Sequence, residues 1–296
     1  MDKLTGLIAF VRTADLGSFV AAGRALEVSA SAVGKAVVRL EQELGVRLLQ
    51  RSTRRVSLTE EGRLFHERCR RILDDLEDAQ AMLSAAMQQP RGRLRVSAPV
   101  VTYHLLLPLL PEFLAQHPAV ELEVDFNDRL VDLIDDGVDV ALRSGVLPDS
   151  RLVSRPLRPY RPLLCASPAY LAQRGVPGSV QALAEHDGIR FREPNAGKLQ
   201  EWTLGDGTAD AGVHLRRTLV FNNMEAVRGA ALGGLGIGHM PDFLIREPLA
   251  HGALLTVLEH ETPPGGRFHA VWPSSRHLSP KVRAFVDFLG QRLAGD

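Results

Sequence analysis

The sequence predicts an α plus α/β architecture: an N-terminal winged helix-turn-helix, a long linker helix, and a C-terminal domain of two α/β lobes. Three observations carry this. Residues 18 to 40, SFVAAGRALEVSASAVGKAVVRL, hold two short helical repeats separated by a break of three or four residues. Apolar residues from Phe65 to Ala86 recur at spacings of 4, 3, 4, 3, 4 and 3. From Arg93 onward, strand-like and helix-like patterns alternate.

The N-terminal elements follow in order. Leu4, Leu7, Ile8, Val11 and Ala14 have helical spacing, so residues 3 to 14 form a first helix. Gly17 ends the turn after it, and Ser18 caps a second helix whose inner face is Phe19, Ala22, Ala25 and Leu26. Ser29 caps a third, with Val33, Val37 and Leu40 facing inward. The opposite face offers Ala30, Ser31, Gly34, Lys35 and Val38, short enough near the helix start to let its backbone sink into the major groove of DNA. Ser31 can bond phosphate or a base edge, and Lys35 can reach either. Val56 and Leu58 then alternate with polar residues as a short strand would, preceded by a basic loop of Arg51, Ser52, Thr53, Arg54 and Arg55. This reads as a wing whose arginines meet phosphate or enter the minor groove; a solvated charged hairpin is the alternative. The candidate DNA-contacting set is Ser29, Ser31, Ala32, Gly34, Lys35, Arg39, Arg51, Thr53, Arg54 and Arg55.

Thr59, Glu61 and Gly62 open a helix running to about residue 88, with Phe65, Cys69, Ile72, Leu76, Ala79, Leu83 and Ala86 on one stripe. A helix of about 28 residues spans roughly 40 Å. A stripe that long and narrow cannot be buried on a small winged domain, so a second copy of the chain is the expected partner, through Phe65, Ile72, Leu76 and Leu83. Packing on the chain's own C-terminal domain is the alternative. Cys69 reads as a small packing residue of this seam. Pro90-Arg91-Gly92 ends the helix, giving expected domains of 1–58, 59–90 and 91–296.

In the C-terminal part, 94–97, 120–126 and 138–143 read as strands, and 105–116 and 130–136 as helices, in the β-α-β-α-β order of a parallel sheet. A second unit follows: strand 163–166, helix 168–173, strand 218–221, helix 224–232 and strand 237–240. Strand 268–272 and an amphipathic helix over 279–293 close the chain. Lobes of 91–162 plus 267–296, and of 163–266, would leave a cleft at the strands' carboxyl ends. Thr102, Tyr103 and His104 precede a helix N-terminus, where N–H groups favour an anion, and Arg143 and Ser144 end a strand opening on the same cleft. With Asn222 they form the candidate effector set, and the expected ligand is a small anionic metabolite. A structural ion pair is the alternative role for Arg143.

Composition excludes other classes. The chain has 296 residues, enough for two or three domains, and a formal net charge of zero. A neutral DNA reader must concentrate its positive charge locally. Residues 1 to 60 carry nine Lys or Arg (Lys3, Arg12, Arg24, Lys35, Arg39, Arg47, Arg51, Arg54, Arg55) against six acids (Asp2, Asp15, Glu27, Glu41, Glu43, Glu60). The two cysteines, Cys69 and Cys165, make no disulfide framework, and MDKLTGLIAFV has no apolar run long enough for a signal peptide or a membrane span. A soluble cytoplasmic protein without a membrane partner is expected. The ten histidines show no HxxxH or HExxH spacing and there is no GxSxG elbow, so neither metal, cofactor nor catalysis is expected. Gly233-Gly-Leu-Gly-Ile-Gly238 follows a helix and precedes a strand, the reverse of a phosphate loop, and reads as a plain turn. A solute-binding receptor or an enzyme of the same two-lobed fold are the competing classes; the basic N-terminal domain argues against the first and the lack of a catalytic grouping against the second.

Taken together these residues strongly resemble the LysR-type transcriptional regulators over nearly the whole chain. FVRTADLGSFVAAGRAL and SASAVGKAVVRLEQELGVRLLQRSTRRVSLTEEG follow the family's winged-helix pattern almost position by position. RGRLRVSAPV, DRLVDLIDDGVDVALRSG, LLCASPAYLA, EAVRGAALGGLGIGHMPDFLI and HLSPKVRAFVDFL look like its effector domain, which resembles a type 2 periplasmic binding protein. The resemblance implies a promoter-binding regulator, a dimer or a tetramer built as a dimer of dimers, responding to a small inducer and acting on RNA polymerase. Two departures stand out. Gly34 replaces the Ser many relatives carry, at about 1 kcal/mol of helix propensity. PVVTYHLLLP is one residue shorter than the usual form, with Thr102 standing where relatives place an inducer-contacting Ser or Thr.

Overall fold

The computed structural model describes residues 3–51, 56–83, 89–129, 131–145, 152–195, 197–205, 213–263, 265–274 and 278–293. The chain forms two compact units, Met1–Gln88 and Gln89–Asp296.

In the first unit, α1 (Lys3–Leu16), α2 (Phe19–Ala25) and α3 (Ala30–Leu44) precede a two-stranded wing, β1 (Leu49–Arg51) and β2 (Val56–Leu58), and α4 (Glu60–Leu83). Ser18 and Ser29 are the N-caps of α2 and α3, accepting from the Ala21 and Ala32 N–H groups at 3.3 and 3.1 Å. Gly45 ends α3 in the left-handed region at φ 68°. Phe10, Ala22, Val33, Val37, Leu40 and Leu48 form the core.

The long helix is a correction to the expected seam. Phe65 and Cys69 face the unit's own core: Cys69 is buried there, and the Phe65 ring lies 5.7 Å from that of Phe10. The first turns of α4 cross α1, so the winged domain covers this end of the stripe. Farther along, Ile72 and Leu76 are exposed at 53% and 37%. The Leu83 side chain and residues 84–88 lie outside the description.

The second unit contains two five-stranded sheets. Its strands are β3 (Gly92–Ala98), β4 (Val120–Phe126), β5 (Val140–Ser144), β6 (Leu152–Pro159), β7 (Pro162–Ala166), β8 (Asp187–Phe191), β9 (Arg217–Phe221), β10 (Ile237–Pro241), β11 (Leu255–Val257) and β12 (Arg267–Pro273). Its helices are α5 (Tyr103–Leu106), α6 (Leu110–Gln116), α7 (Pro168–Arg174), α8 (Met224–Leu232), α9 (Asp242–Ala250) and α10 (Pro280–Leu293). The first sheet has the order β4-β3-β5-β12-β6 and the second β11-β7-β10-β8-β9. The chain passes between lobes at residues 160–161 and again at 265–266, where the Tyr160 N–H donates to the Gly266 carbonyl at 3.0 Å.

Three expectations fail here. Neither sheet is parallel throughout: β3 pairs parallel with β4 and β5, but β12 returns from the other lobe and pairs antiparallel with β5 and β6. The 105–116 helix is split into α5 and α6 at Pro108, whose missing N–H leaves the helical hydrogen-bond ladder interrupted there, although Leu107 and Leu109 keep right-handed helical backbone. The 131–136 segment is a single turn: the Asp132 carboxylate caps its start by accepting from the Ile134 and Asp135 N–H groups, and Gly137 ends it in the left-handed region at φ 66°. Gly233 to Gly236 of the glycine run form the turn between α8 and β10, as expected, and Gly238 lies in β10 itself.

Candidate nucleic-acid interface and effector cleft

The exposed row of α3 is built by its buried one. Val33, Ala36, Val37 and Leu40 are buried against α1 and α2, which turns Ser31, Lys35 and Arg39 to solvent and leaves Ala32 and Gly34 half-exposed. Ser29 is exposed as well, with its hydroxyl committed to the cap. A carboxylate missed at the sequence level joins α3 to the wing: Glu41 Oε1 accepts from the Leu48 and Leu49 N–H groups at 2.8 and 3.0 Å. Thr59 closes the wing from the other side. Its hydroxyl donates to the Arg47 carbonyl at 2.8 Å and accepts the Gly62 N–H of α4 at 2.8 Å. Gly62 is required there, since a Cβ would lie 2.0 Å from the Leu48 carbonyl oxygen. The Arg51 backbone pairs with Val56 in the wing; the Arg51 side chain and Thr53, Arg54 and Arg55 lie outside the described residues.

Asp15, at the end of α1, holds α4 through His66 Nε2 at 2.9 Å and Arg70 at 2.8 Å. Burial alone would raise its carboxyl, but the His66 hydrogen bond and the Arg70 charge outweigh that and hold it below the usual carboxylate range. Burial pushes the Cys69 thiol up to about 11, which leaves it an unreactive packing group.

In the second unit, the carboxyl ends of β3 and β5 bring Ser97 beside Arg143. Arg143 is 8% exposed as a residue, and its guanidinium donates to the Leu142 carbonyl at 2.9 Å and reaches Ser97 Oγ at 3.5 Å. Among the described residues no carboxylate pairs with it, and burial lowers its pKa. The structural ion pair weighed as an alternative is therefore not made with any described residue. Ser144 is exposed next to it and hydrogen bonds the phenol of Tyr160, a residue at the crossover between the lobes that nothing in the local sequence marked. Burial raises the Tyr160 pKa, against that hydrogen bond.

The turn before α5 differs from expectation. Thr102 is fully buried, and its hydroxyl donates to the Pro99 carbonyl at 2.6 Å instead of facing the cleft. The Val100 N–H, at the start of the turn that precedes α5, is taken at 3.0 Å by the Asp128 carboxylate. Burial raises that carboxyl, and the Val100 bond opposes the rise. Tyr103 and His104 stack with centroids 4.1 Å apart, and His104 Nε2 meets Glu225 Oε1 at 2.7 Å. Glu225 lies at the start of α8 in the other lobe, so this contact bridges the cleft, with Arg228 3.6 Å from the second carboxylate oxygen. Asn195 makes a second crossing, to the Asp128 carbonyl at 2.9 Å. Asn222 is exposed at the end of β9, whereas its neighbour Asn223 caps α8.

Comparison with known families agrees with this construction. Residues 4–63 match the bacterial regulatory helix-turn-helix protein of the lysR family, and residues 87–294 match the LysR substrate binding domain. The chain belongs to the LysR-type transcriptional regulators. It is 38% identical to an HTH-type transcriptional regulator of Xanthomonas campestris, over 99% of this chain and 86% of that one. The regulator CrgA of Neisseria meningitidis is 37% identical over 98% of this chain and 97% of its own. The solved structure of CrgA aligns with a TM-score of 0.64 at 36% identity, covering 98% of both chains. Full-length AphB, a virulence activator of Vibrio cholerae, aligns at 0.58 with 27% identity over 98% of each.

This LysR-type regulator is thus a DNA-binding regulator of transcription with an effector-binding domain, and not an enzyme. No single helix among the described residues is long and apolar enough to cross a membrane.

Proposed function

We propose that this regulator reads promoter DNA with the Ser31–Lys35–Arg39 row of α3 and its wing, and that a small anionic metabolite bound between the lobes controls that reading. The observation that carries the ligand's charge is Arg143. A guanidinium taken out of water with no described carboxylate beside it costs several kcal/mol unless an anion joins it. Ser97 supplies a neutral hydrogen-bonding group beside it, and Ser144 with its partner Tyr160 adds two more at the end of the same strand. The ligand would meet these groups at the carboxyl ends of the strands while the His104–Glu225 bridge sets how closely the lobes approach. In this reading the regulator works in the cytoplasm as a homo-oligomer, joined through the exposed Ile72–Leu76 side of α4, and its output reaches RNA polymerase.

The test is a thermal-shift screen of the full chain with small mono- and dicarboxylates and phosphate esters. A hit should raise the melting temperature of the native protein and change its footprint on the DNA upstream of its gene, as reciprocal coupling requires. Arg143→Met should remove the ligand-induced rise without lowering the ligand-free melting temperature, because the uncompensated buried charge is gone. A hit whose effect survives Arg143→Met, or a response confined to uncharged ligands, would discard the anion.

A further inference from the structure

Gly34 has no reason to be glycine within the protein. It lies inside α3 with ordinary helical backbone, and a Cβ built on it meets no atom within 4 Å. Gly23 and Gly62 of this unit are held by their surroundings, and Gly17 and Gly45 by left-handed backbone at φ 61° and 68°. A Cβ on Gly23 would come 2.8 Å from the Val28 carbonyl oxygen, and one on Gly62 would overlap Leu48. Glycine is among the poorest helix formers, so alanine at position 34 would give a more stable protein. A residue that costs stability and that no internal contact demands points to an outside contact.

The place of Gly34 says what kind of contact. On α3, Ala30, Gly34 and Val38 stand one turn apart and are all half-exposed, so the strip is apolar with a gap at its centre. The adjacent row, Ser31, Lys35 and Arg39, is polar and exposed. A polar row beside a notched apolar strip matches the major-groove edge of a base pair that pairs hydrogen-bonding atoms with a methyl group. In DNA that methyl is the C5-methyl of thymine.

We infer that Gly34 is a specificity-determining residue: the space of its missing side chain receives a thymine methyl and lets the α3 backbone approach the groove there. The inference rests on the proposed reading of DNA by α3 and adds to it one base and one atom.

The experiment begins with selection of the full-length protein on a randomised 40-base-pair duplex pool. Each thymine of the enriched site is then replaced in turn by uracil, which deletes only the methyl. The native protein should lose about fourfold in affinity at one thymine in each half-site, the expected cost of one buried methyl. Gly34→Ala should melt at a higher temperature. It should bind the thymine site about tenfold more weakly, keep the native salt dependence, and bind the uracil and thymine duplexes equally. Gly34→Ser should behave in the same way, which separates loss of space from loss of apolarity. Two results would overturn the inference: a Gly34→Ala protein with native affinity and base preference, or a native protein indifferent to every thymine methyl. If the native protein enriches no site at all, the DNA reading by α3 fails and this inference goes with it.

Discussion

Removing the Glu41 carboxylate should unlatch the wing. One oxygen of Glu41 accepts two backbone N–H groups, Leu48 at 2.8 Å and Leu49 at 3.0 Å, where the chain leaves the turn after α3 and enters β1. A hydrogen bond to a charged group contributes about 1.5–3 kcal/mol, and two that share one oxygen contribute less than twice that. The site is half-buried, which reduces the figure again, so Glu41→Ala should cost about 2–3 kcal/mol. For a unit of this size that is a fall of roughly 8–24 °C in melting temperature. Glu41→Gln keeps an acceptor oxygen without the charge and should lose about half as much. The assay is thermal and urea unfolding of the full chain, with amide hydrogen exchange to locate the change. Protection should fall first at Leu48 and Leu49, both buried and otherwise well packed. DNA affinity should fall with it, because β1 carries the wing beside α3. Native exchange at those two amides in Glu41→Ala, or a melting temperature within a degree of native, would refute the argument.

Other consequences are as direct. Phe65→Ala and Leu76→Asp should separate the two ends of α4: the first should cost about 2–3 kcal/mol of stability with the native oligomer intact, and the second should dissociate the oligomer in sedimentation without unfolding the winged unit. The reverse pattern would return Phe65 to the intermolecular seam. Asp15→Asn should destabilise the first unit at neutral pH. The folded-state carboxyl is depressed, so its stabilisation is complete above the unfolded pKa and is lost as pH falls through the folded value. The difference between native and Asp15→Asn should therefore vanish in strong acid, and a pH-independent difference in urea titrations would rule out the Arg70 and His66 pairing as its source. Lys35→Ala should weaken DNA binding and reduce the slope of log affinity against log salt by about one; an unchanged slope takes Lys35 off the phosphates.

The sequence by itself determined the elements whose signals are local. Ser18 and Ser29 are legible as caps because a hydroxyl and the N–H it accepts lie three residues apart, and the buried face of α3 is legible because helix period alone aligns Val33, Val37 and Leu40. The family is legible for the same reason, since its motifs are continuous runs. Tertiary structure decided whatever depends on where the chain returns. Helical spacing placed Phe65, Ile72 and Leu76 on one stripe, but only the crossing of α1 shows that Phe65 is covered within the unit while the other two are exposed. Strand patterns marked β12 without its direction, because a period of two is the same in parallel and antiparallel pairs. In the cleft, His104 finds Glu225 across 121 positions, Val100 finds Asp128, and Thr102 turns inward to Pro99. A helix start in a sequence shows that N–H groups are available. Whether a ligand can use them depends on which distant side chain reaches them first; here Asp128 takes the Val100 N–H of the turn before α5, while Arg143 remains the buried charge with no described carboxylate partner.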